Sequence, residues 1–371
     1  MRLRPAPLED WLRDYYFTAD IDISSSGVQT YTMAELRAKT GVRPEDLDRL
    51  TFDDGYSTGD PALRRLIADR FGDGDPGRVI TANGSSEAIS LVLSTLLGPG
   101  DEVVAVQPGY HLLVAYAEAL GCTTRTWTLP AERGFRPAVA DLEPLVSERT
   151  RAIVLNFPHN PTGAHLTEEE LRQVVALAER AGAYVLWDGA FTSLVYDAPP
   201  LPPVSTLYER GIDFGTFSKA FGLPGLRFGW CVAPPSVIDG CVRIRDYTTL
   251  HVAPLIELLA GAVIEHAPAF LEPRLRQATS NRALLAEWAG EQGDRVELAL
   301  PGGGVAAFPR LPGLADTRDF CDDLFKRHGV LVIPGACFGA PEHIRLGFGG
   351  ATEQLTEGLE RLGRALADWP A

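Results

Sequence analysis

Residues 151–191 read RAIVLNFPHNPTGAHLTEEELRQVVALAERAGAYVLWDGAF, two short apolar runs on either side of an amphipathic stretch. The runs at 151–157 and 183–191 predict buried β-strands, and residues 167–182 between them predict an α-helix. Strands joined through a helix are parallel neighbours, and strands that are apolar along most of their length are covered on both faces. The stretch therefore predicts an α/β fold with a largely parallel sheet.

The same alternation of helices and strands continues on both sides of this stretch. Before it, residues 61–72 and 87–101 have helical periodicity, and the apolar run 102–107 predicts a buried strand. After it, residues 214–218 predict a further strand. We therefore expect a large domain over residues 46–265.

The end of the chain has a different pattern. A long helix is predicted over residues 268–293, followed by strand-like pieces at 295–311 and 329–335 and a helix from about Thr352. This order predicts a smaller α+β domain over residues 266–371. The first 45 residues should pack with this small domain and with the active site.

The charge balance is acidic, with 34 Lys and Arg against 49 Asp and Glu and a formal net charge of −15. A surface this negative repels phosphate backbones and anionic lipids, so we expect no nucleic-acid partner and no membrane partner. The five cysteines are far apart without metal-ligand spacing, so we expect free thiols and no metal site. No apolar run reaches 18 residues and no signal-peptide pattern opens the chain, which predicts a cytoplasmic protein.

Lysine is rare in this chain, since Lys39, Lys219 and Lys326 are the only three among the 34 cationic residues. Lys219 follows a predicted strand in GTFSKAFGLPGLRFGW, residues 215–230, among small and apolar neighbours. Removal of water from around an amine lowers its pKa and makes it a better nucleophile. Lys219 is therefore a candidate for amine chemistry, and a surface lysine at a strand end is the alternative.

Three further motifs place polar groups at the ends of predicted elements. In TANGSSEAI, residues 81–89, Ser85 and Ser86 open a helix, which suits a phosphate but also suits an ordinary helix cap. Asn160 in NFPHNPTG follows a buried strand, where open α/β sheets bind ligands, although the same letters make a plain turn. Asp188 ends another strand, where it either caps the next element or keeps a ligand nitrogen protonated.

In this order and at these intervals, the motifs resemble the pyridoxal-phosphate (PLP) enzymes of the class I/II aminotransferase family. The resemblance spans about residues 54–350 and implies the aspartate aminotransferase fold, PLP fold type I, with a mostly parallel seven-stranded sheet in the large domain. It implies PLP as the cofactor, with Lys219 as Schiff-base partner and general base and Asp188 paired with the pyridine nitrogen. The residues implied for the phosphate are Ser85, Ser86, Ser218 and Arg227.

The same resemblance implies roles for residues outside these motifs. Asn160 would donate to the ring 3′-oxygen and contact the substrate, Tyr110 in QPGYH would stack on the ring, and Arg345 in IRLGFG would bind the substrate carboxylate. Tyr56 in GYSTGDPALR would reach the phosphate of a neighbouring subunit, which implies a homodimer with shared active sites. Phe191 departs from the family, which usually has a tyrosine three residues after the aspartate.

The N-terminal sequence resembles a narrower group within the family. APLEDWLRDYYF, residues 6–17, and DISSSGVQTYTM, residues 22–33, are similar to the hydroxyarginine cyclases of the capreomycidine synthase type, PLP enzymes of antibiotic pathways. This similarity implies a lyase whose small-molecule substrate is a β-hydroxylated arginine, which loses water and closes to a cyclic guanidine. We expect the guanidinium to meet Asp22 and the segment Ser24–Gly27, with Gly27 at the substrate, because the N-terminal stretch should cover the active site.

Other assignments are compatible with the same motifs. A conventional aminotransferase would use the same residues but would leave a keto acid as product. A transcription regulator that senses ligands with this fold needs a DNA-binding domain upstream, and the residues before Tyr56 are acidic rather than basic. For departure of a hydroxyl, His111 beside Tyr110 is a candidate acid, and Lys219 is the better one.

Overall fold

The computed structural model describes residues 2–369, which form an α/β protein. Its helices are α1 (Pro7–Tyr15), α2 (Met33–Thr40), α3 (Pro44–Asp48), α4 (Pro61–Phe71), α5 (Ser85–Leu96), α6 (Leu112–Ala119), α7 (Val139–Leu142), α8 (Glu168–Ala181), α9 (Val204–Leu207), α10 (Pro235–Arg245), α11 (Pro254–Glu265), α12 (Ala267–Glu291), α13 (Arg318–His328) and α14 (Thr352–Asp368). Its strands are β1 (Ile21–Asp22), β2 (Val79–Ala82), β3 (Glu102–Gln107), β4 (Thr123–Thr128), β5 (Thr150–Leu155), β6 (Tyr184–Asp188), β7 (Gly211–Thr216), β8 (Gly229–Val232), β9 (Ala306–Ala307), β10 (Val330–Leu331), β11 (Ile333–Pro334) and β12 (Ile344–Gly347).

Seven strands form one large sheet in the order β2-β8-β7-β6-β5-β3-β4. Every neighbouring pair is parallel except the two pairs that include β8. Alternate residues of β3 and β5 pack into two separate cores, one shared with α8 and the other with α5 and α10. Helices therefore cover both faces, and the prediction of a mostly parallel seven-stranded sheet is confirmed.

Helix α8 shows why the segment between β5 and β6 folds as predicted. The Thr167 hydroxyl accepts the backbone N–H of Glu170 at 3.2 Å, and the Glu170 carboxylate accepts the backbone N–H of Thr167 at 2.7 Å. This reciprocal cap satisfies N–H groups that have no partner inside the helix. Gly182 ends the helix in the left-handed conformation, with φ 66°, which a glycine adopts without strain.

The carboxyl ends of β5, β6 and β7 lie side by side at one edge of the large sheet, because these neighbouring strands are parallel. Asn156 directly follows β5, Asp188 ends β6, and Ser218 follows β7 by two residues. Open α/β sheets bind their ligands at this edge. The fold thus gathers polar side chains that are far apart in the sequence.

The last part of the chain forms a smaller antiparallel sheet in the order β11-β12-β9. The strands predicted at 295–311 and 329–335 are wrong in length, because β9, β10 and β11 have two residues each. Three consecutive glycines at 302–304 lie between Pro301 and Pro309, and a proline has no N–H to give to a strand ladder. The predicted helix from Thr352 is confirmed as α14.

The N-terminal segment contacts both sheet-forming parts of the chain. Strand β1 pairs in parallel with β10, and the indole N–H of Trp11 donates to the carbonyl of Val332 at 3.0 Å. At its other end, the N–H of Val28 donates to the carbonyl of Lys219 at 3.4 Å, just beyond the large sheet. The segment therefore bridges the smaller sheet and the carboxyl edge of the larger one.

Within residues 2–369, no single helix is both long enough and apolar enough to cross a bilayer. The helices α11 and α12 meet that test only when taken together, and they are bent by 70° relative to each other. The five cysteines are free thiols, as the sequence predicts, and three of them are buried.

Gly347→Ala tests how closely the N-terminal segment is packed. The N–H of Gly347 donates to the carbonyl of Ile23 at 2.8 Å, and a Cβ at this position would overlap the carbonyl oxygen of Ser25. We expect the variant to lose about 1–3 kcal/mol of stability, because an overpacked site must shift its backbone. Thermal unfolding gives the stability, and limited proteolysis reports whether the segment has loosened.

Gly350→Ala is the matched control for this variant. The nearest atom to a Cβ at Gly350 lies 3.8 Å away, on Gln354, and the backbone φ is not positive. We expect it to unfold and to resist protease as the unchanged protein does. Equal behaviour of the two variants would show that the segment is not held against β12.

Candidate active site

A cavity of about 270 Å³ lies at the carboxyl ends of β5, β6 and β7. Its wall includes nine of the residues that the sequence singles out: Ser85, Ser86, Tyr110, Asn160, Asp188, Ser218, Lys219, Arg227 and Arg345. Asn156, Ala190, Phe191 and Thr216 also line the cavity at the sheet edge. The structure thus brings together, in one place, side chains from every motif described above except GYSTGDPALR.

One end of the cavity is formed by the start of α5. Ser85 and Ser86 are the first two residues of this helix, so their backbone N–H groups have no partner within it. Gly84, with φ 87°, leaves room for Arg227, because a Cβ there would be 2.6 Å from Arg227 Nη2. Arg227 Nη1 also donates to the Ser218 hydroxyl at 3.1 Å. Free N–H groups, a helix N-terminus and a guanidinium together form a site for an anion such as a phosphate.

Asp188 places a buried carboxylate in the cavity wall. Its Oδ1 accepts the N–H of Ala190 at 3.3 Å, and its backbone carbonyl accepts the amide of Asn156 at 2.9 Å. Burial raises the pKa of Asp188 to about 6, which the Ala190 N–H and the charge of Lys219 oppose only in part. A cationic partner stabilises the ionised form of a buried carboxylate, and a protonated ring nitrogen is such a partner.

Lys219 directs its amine into the same cavity. Its Nζ donates to the hydroxyl of Ser26 at 2.9 Å. Burial, followed by the positive charge of Arg345, lowers the pKa of Lys219 to about 8. An amine with this pKa is partly neutral near neutral pH, so it can act as a nucleophile or as a base. The structure therefore places Lys219 inside the site rather than on the outer surface.

Arg345 is a second cation in the cavity wall, and it is buried, with 3% of its surface exposed. Its Nη2 donates to the carbonyl of Ser24 at 2.9 Å, and its Nη1 donates to Oδ1 of Asn160 at 3.3 Å. Burial lowers the pKa of Arg345 to about 10, so the guanidinium remains charged at neutral pH. Both hydrogen-bond acceptors are neutral, which leaves the charge available for a carboxylate from outside the chain.

Tyr110 and Phe191 supply the aromatic part of the wall. Burial raises the pKa of Tyr110 to about 12, and its hydroxyl donates to Oε1 of Glu9 at 3.5 Å. Phe191 is 3% exposed and lines the cavity, so the departure from the family pattern falls within the site. His111 lies outside the wall, with its ring centroid 4.5 Å from that of Tyr110, and burial lowers its pKa.

These groups fit the pyridoxal phosphate that the sequence resemblance implies. The start of α5 with Arg227 suits the phosphate, and the buried carboxylate of Asp188 suits a protonated pyridine nitrogen. Lys219 offers an amine with a lowered pKa to an aldehyde. The anion site, the carboxylate of Asp188 and the amine of Lys219 all border the same cavity.

Several of the predicted site residues lie outside this wall. Tyr56 is 63% exposed on the protein surface, and Gly27 lies just beyond Ser26, which does line the cavity. Asp22, expected near the guanidinium, is not in the wall, and its carboxylate accepts the N–H of Ser24 at 2.7 Å. Of the residues expected at the guanidinium, Asp22 and Ser24–Gly27, only Ser26 lines the cavity of its own chain. It contributes a hydroxyl and not a carboxylate.

Helix α1 contributes wall residues that sequence reasoning missed, namely Leu8, Glu9 and Leu12. Leu8 and Leu12 are four residues apart and share one face of the helix, and Glu9 borders that face. This spacing is the only signal that the sequence offers. It does not distinguish a helix that lines a cavity from one that covers an apolar core.

Sequence comparison relates the chain to aminotransferases and to a capreomycidine synthase. A model of the family "aminotransferase class I and II" matches residues 48–362. Capreomycidine synthase of Streptomyces vinaceus is 47% identical, over 98% of this chain and 94% of that protein. The arginine–pyruvate transaminase AruH of Pseudomonas aeruginosa is 32% identical, over 84% of this chain and 81% of its own length.

Comparison with solved structures gives the same relations. The PLP-dependent cyclase OrfR has a TM-score of 0.94 and 38% identity, and the match covers 99% of this chain and 98% of OrfR. Aspartate aminotransferase from Thermus thermophilus has a TM-score of 0.88 at 23% identity, with 98% and 97% of the two chains covered. The predicted aspartate aminotransferase fold is therefore confirmed.

The lowered pKa of Lys219 predicts how the cofactor-free protein captures pyridoxal phosphate. Only the neutral amine attacks an aldehyde, and its fraction increases as the pH rises through the pKa of about 8. We expect the capture rate, followed by absorbance in a pH series, to rise with a midpoint near that value. The control is N-α-acetyl-lysine, whose amine has a pKa of about 10.4. A midpoint for the protein equal to that of N-α-acetyl-lysine would contradict the lowered pKa of Lys219.

Proposed function

The chain belongs to the aminotransferase class I and II family, and we propose that within this family it is a cyclase of hydroxylated arginine. Its cofactor is pyridoxal phosphate. The proposed reaction removes water from a β-hydroxylated L-arginine and joins a guanidine nitrogen to the β-carbon. The product is a cyclic guanidine amino acid of the capreomycidine or streptolidine type, and the enzyme is a lyase. We further propose that it works in the cytoplasm, in antibiotic biosynthesis.

The observation that carries this proposal is the extent of the similarity to capreomycidine synthase. The family match begins at residue 48, whereas the similarity to the synthase covers 98% of the chain and so includes most of the N-terminal segment. In this structure that segment supplies Glu9 and Ser26 to the cavity wall. The part of the chain that the synthase shares beyond the family region is thus a part that touches the site.

The proposed roles begin with electron withdrawal and proton transfer. When bound, pyridoxal phosphate withdraws electrons from the substrate α-carbon. Asp188 would keep the ring nitrogen protonated, and burial favours that pairing because the Ala190 N–H and the charge of Lys219 offset its cost only in part. Lys219 would take the α-proton and give a proton to the departing hydroxyl, since a pKa of about 8 suits both directions near neutral pH. Ser26 would hold the amine of Lys219 inside the cavity between these events.

Other wall residues would fix the substrate relative to Lys219. Arg345 would bind the α-carboxylate through paired N–H groups, and Asn160, which accepts from Arg345 at 3.3 Å, would keep that guanidinium in place. Ser85, Ser86, Ser218 and Arg227 would hold the phosphate. The bond changes balance without an oxidant: the Cβ–O bond breaks and the hydroxyl leaves as water with the proton that Lys219 took from the α-carbon. The Cβ–N bond then forms, and the proton released by the guanidine nitrogen replaces the one lost from the α-carbon.

A conventional aminotransferase is the second candidate, and a specific observation favours it. The chain is similar to an arginine–pyruvate transaminase, so an arginine side chain is compatible with amino transfer on a related chain. The two reactions differ in the fate of the α-nitrogen. It remains in the product after cyclisation and leaves the substrate after transamination.

We also propose a homodimer in which Tyr56 reaches the phosphate site of the partner subunit. Three aromatic side chains are exposed near this position: Phe52 at 91%, Tyr56 at 63% and Tyr247 at 92%. The segments adjoin, because a Cβ on Gly55 would be 3.0 Å from Nδ1 of His251. A cluster of exposed aromatic side chains is typical of a protein interface.

The product formed from 3-hydroxy-L-arginine tests the cyclase proposal. Mass spectrometry is expected to show a product lighter than the substrate by one water, with the α-15N label of the substrate retained. A keto acid without the label would overturn the cyclase and establish the aminotransferase.

Lys219→Ala is expected to abolish turnover while it retains the cofactor through the phosphate contacts, and Lys326→Ala, on the protein surface, should be fully active.

Sedimentation and cofactor retention test the homodimer. Tyr56→Phe removes one hydroxyl that would donate to a charged phosphate, which should weaken cofactor retention about 10-fold without changing the product. Dialysis followed by absorbance gives the retained fraction, and Tyr16→Phe, a half-exposed phenol of the N-terminal segment, is the control. A fully active monomer, or equal retention by the two variants, would contradict the shared site.

A further inference from the structure

Helix α1 forms one wall of the cavity, and its position is set by contacts outside the cavity. The indole of Trp11 donates to the carbonyl of Val332 at 3.0 Å, and the hydroxyl of Tyr15 donates to Oδ1 of Asp322 at 2.8 Å. These two contacts attach the helix to the last part of the chain. The side chain of Glu9 is therefore held at the cavity by a fixed helix.

Glu9 has little to bind within its own chain. Its Oε1 accepts the hydroxyl of Tyr110 at 3.5 Å, the outer limit of a hydrogen bond. Within residues 2–369, its Oε2 takes part in no hydrogen bond, and no lysine or arginine pairs with the carboxylate. Glu9 is thus a carboxylate at a cavity wall with free acceptor positions.

The other charged residues of the wall indicate which group of a ligand Glu9 can bind. The wall holds three cations, Lys219, Arg227 and Arg345, and two carboxylates, Asp188 and Glu9. In the proposed function, Arg227 takes the phosphate, Arg345 takes the α-carboxylate and Asp188 takes the ring nitrogen. Every charge of the cofactor and of the amino-acid backbone then has a partner, and of the two wall carboxylates Glu9 is the one left without a ligand group. What remains for Glu9 is a cation on the substrate side chain.

We propose that Glu9 binds the guanidinium of the substrate and so selects an arginine-type side chain. A carboxylate accepts two parallel N–H groups from a guanidinium, which gives geometric as well as electrostatic selection. Leu8 and Leu12, on the same wall, would contact the methylene groups of the side chain. This inference rests on the proposed function for the partners of the other charges, and it assigns to Glu9 the contact that the sequence placed on Asp22.

The proposal is tested by comparing the binding of one charged and one uncharged amino acid. L-arginine and L-citrulline have side chains of the same length, and only the first carries a positive charge. We expect the cofactor-loaded protein to prefer L-arginine, and we expect Glu9→Gln to weaken L-arginine about 10- to 100-fold, the effect of losing a charged hydrogen-bonded pair. The affinity for L-citrulline should not change. Calorimetry measures both affinities without requiring turnover.

Asp10→Asn is the matched control, because Asp10 is the neighbouring carboxylate on α1 and pairs with Arg13 at 2.9 Å with about half of its side chain exposed. It should bind both amino acids as the unchanged protein does. If Glu9→Gln does not fold or load the cofactor, Glu9→Asp keeps the charge and withdraws it by one methylene. That variant should also lose affinity for L-arginine alone.

The outcomes separate this inference from the proposed function. Unchanged discrimination in a folded Glu9→Gln or Glu9→Asp variant would overturn the role of Glu9 even if the product is the cyclic guanidine. Loss of affinity for L-arginine alone would support it even if the product is a keto acid. An equal loss for both amino acids would overturn it too, because a general disturbance of α1 does not read the charge of the side chain.

Discussion

Two cations, the part-buried Lys219 and the buried Arg345, share one cavity, and the chemistry of the site depends on the removal of water from around both. Burial disfavours the charged form of both groups, the positive charge of Arg345 adds to this effect on Lys219, and a lysine gives up its proton far more readily than an arginine. The pKa of Lys219 falls to about 8, while Arg345, at about 10, stays charged at neutral pH. The same pair thus supplies a reactive amine and a permanent anchor for a carboxylate.

Neutral acceptors from the N-terminal segment make this arrangement tolerable. The carbonyl of Ser24 accepts from Arg345, and the hydroxyl of Ser26 accepts from Lys219. A carboxylate beside Arg345 would have neutralised the charge that anchors the substrate, and one beside Lys219 would have kept its amine protonated. This segment precedes the part of the chain that matches the family model, so the site combines a general scaffold with a local addition.

Much of the fold and part of the site could be predicted from sequence because the signals were local. The strand–helix–strand stretch at 151–191 has its period, its caps and its turn within itself, and parallel strands bring Asn160, Asp188 and Lys219 to one edge. The contacts that escaped prediction join distant residues, with Lys219 and Ser26 separated by 193 positions and Tyr110 and Glu9 by 101. No periodicity within α1 tells that Glu9 faces a cavity. The predicted strand at 295–311 failed for the opposite reason, because apolar residues suggested a ladder that its glycines and prolines interrupt.

The bridging N-terminal segment also sets an order of events during synthesis. Its partners lie near the other end of the chain, since Trp11 binds Val332 and Ser24 binds Arg345, each across 321 positions. A ribosome adds about 5–20 residues per second, so the segment emerges early and waits, for tens of seconds at the slower rate, until its acceptors and donors exist. The large sheet can form while translation continues, but the cavity closes only once the chain is almost complete. Contacts of such long range also slow folding after release, and the site of a nascent chain therefore stays open until this segment docks.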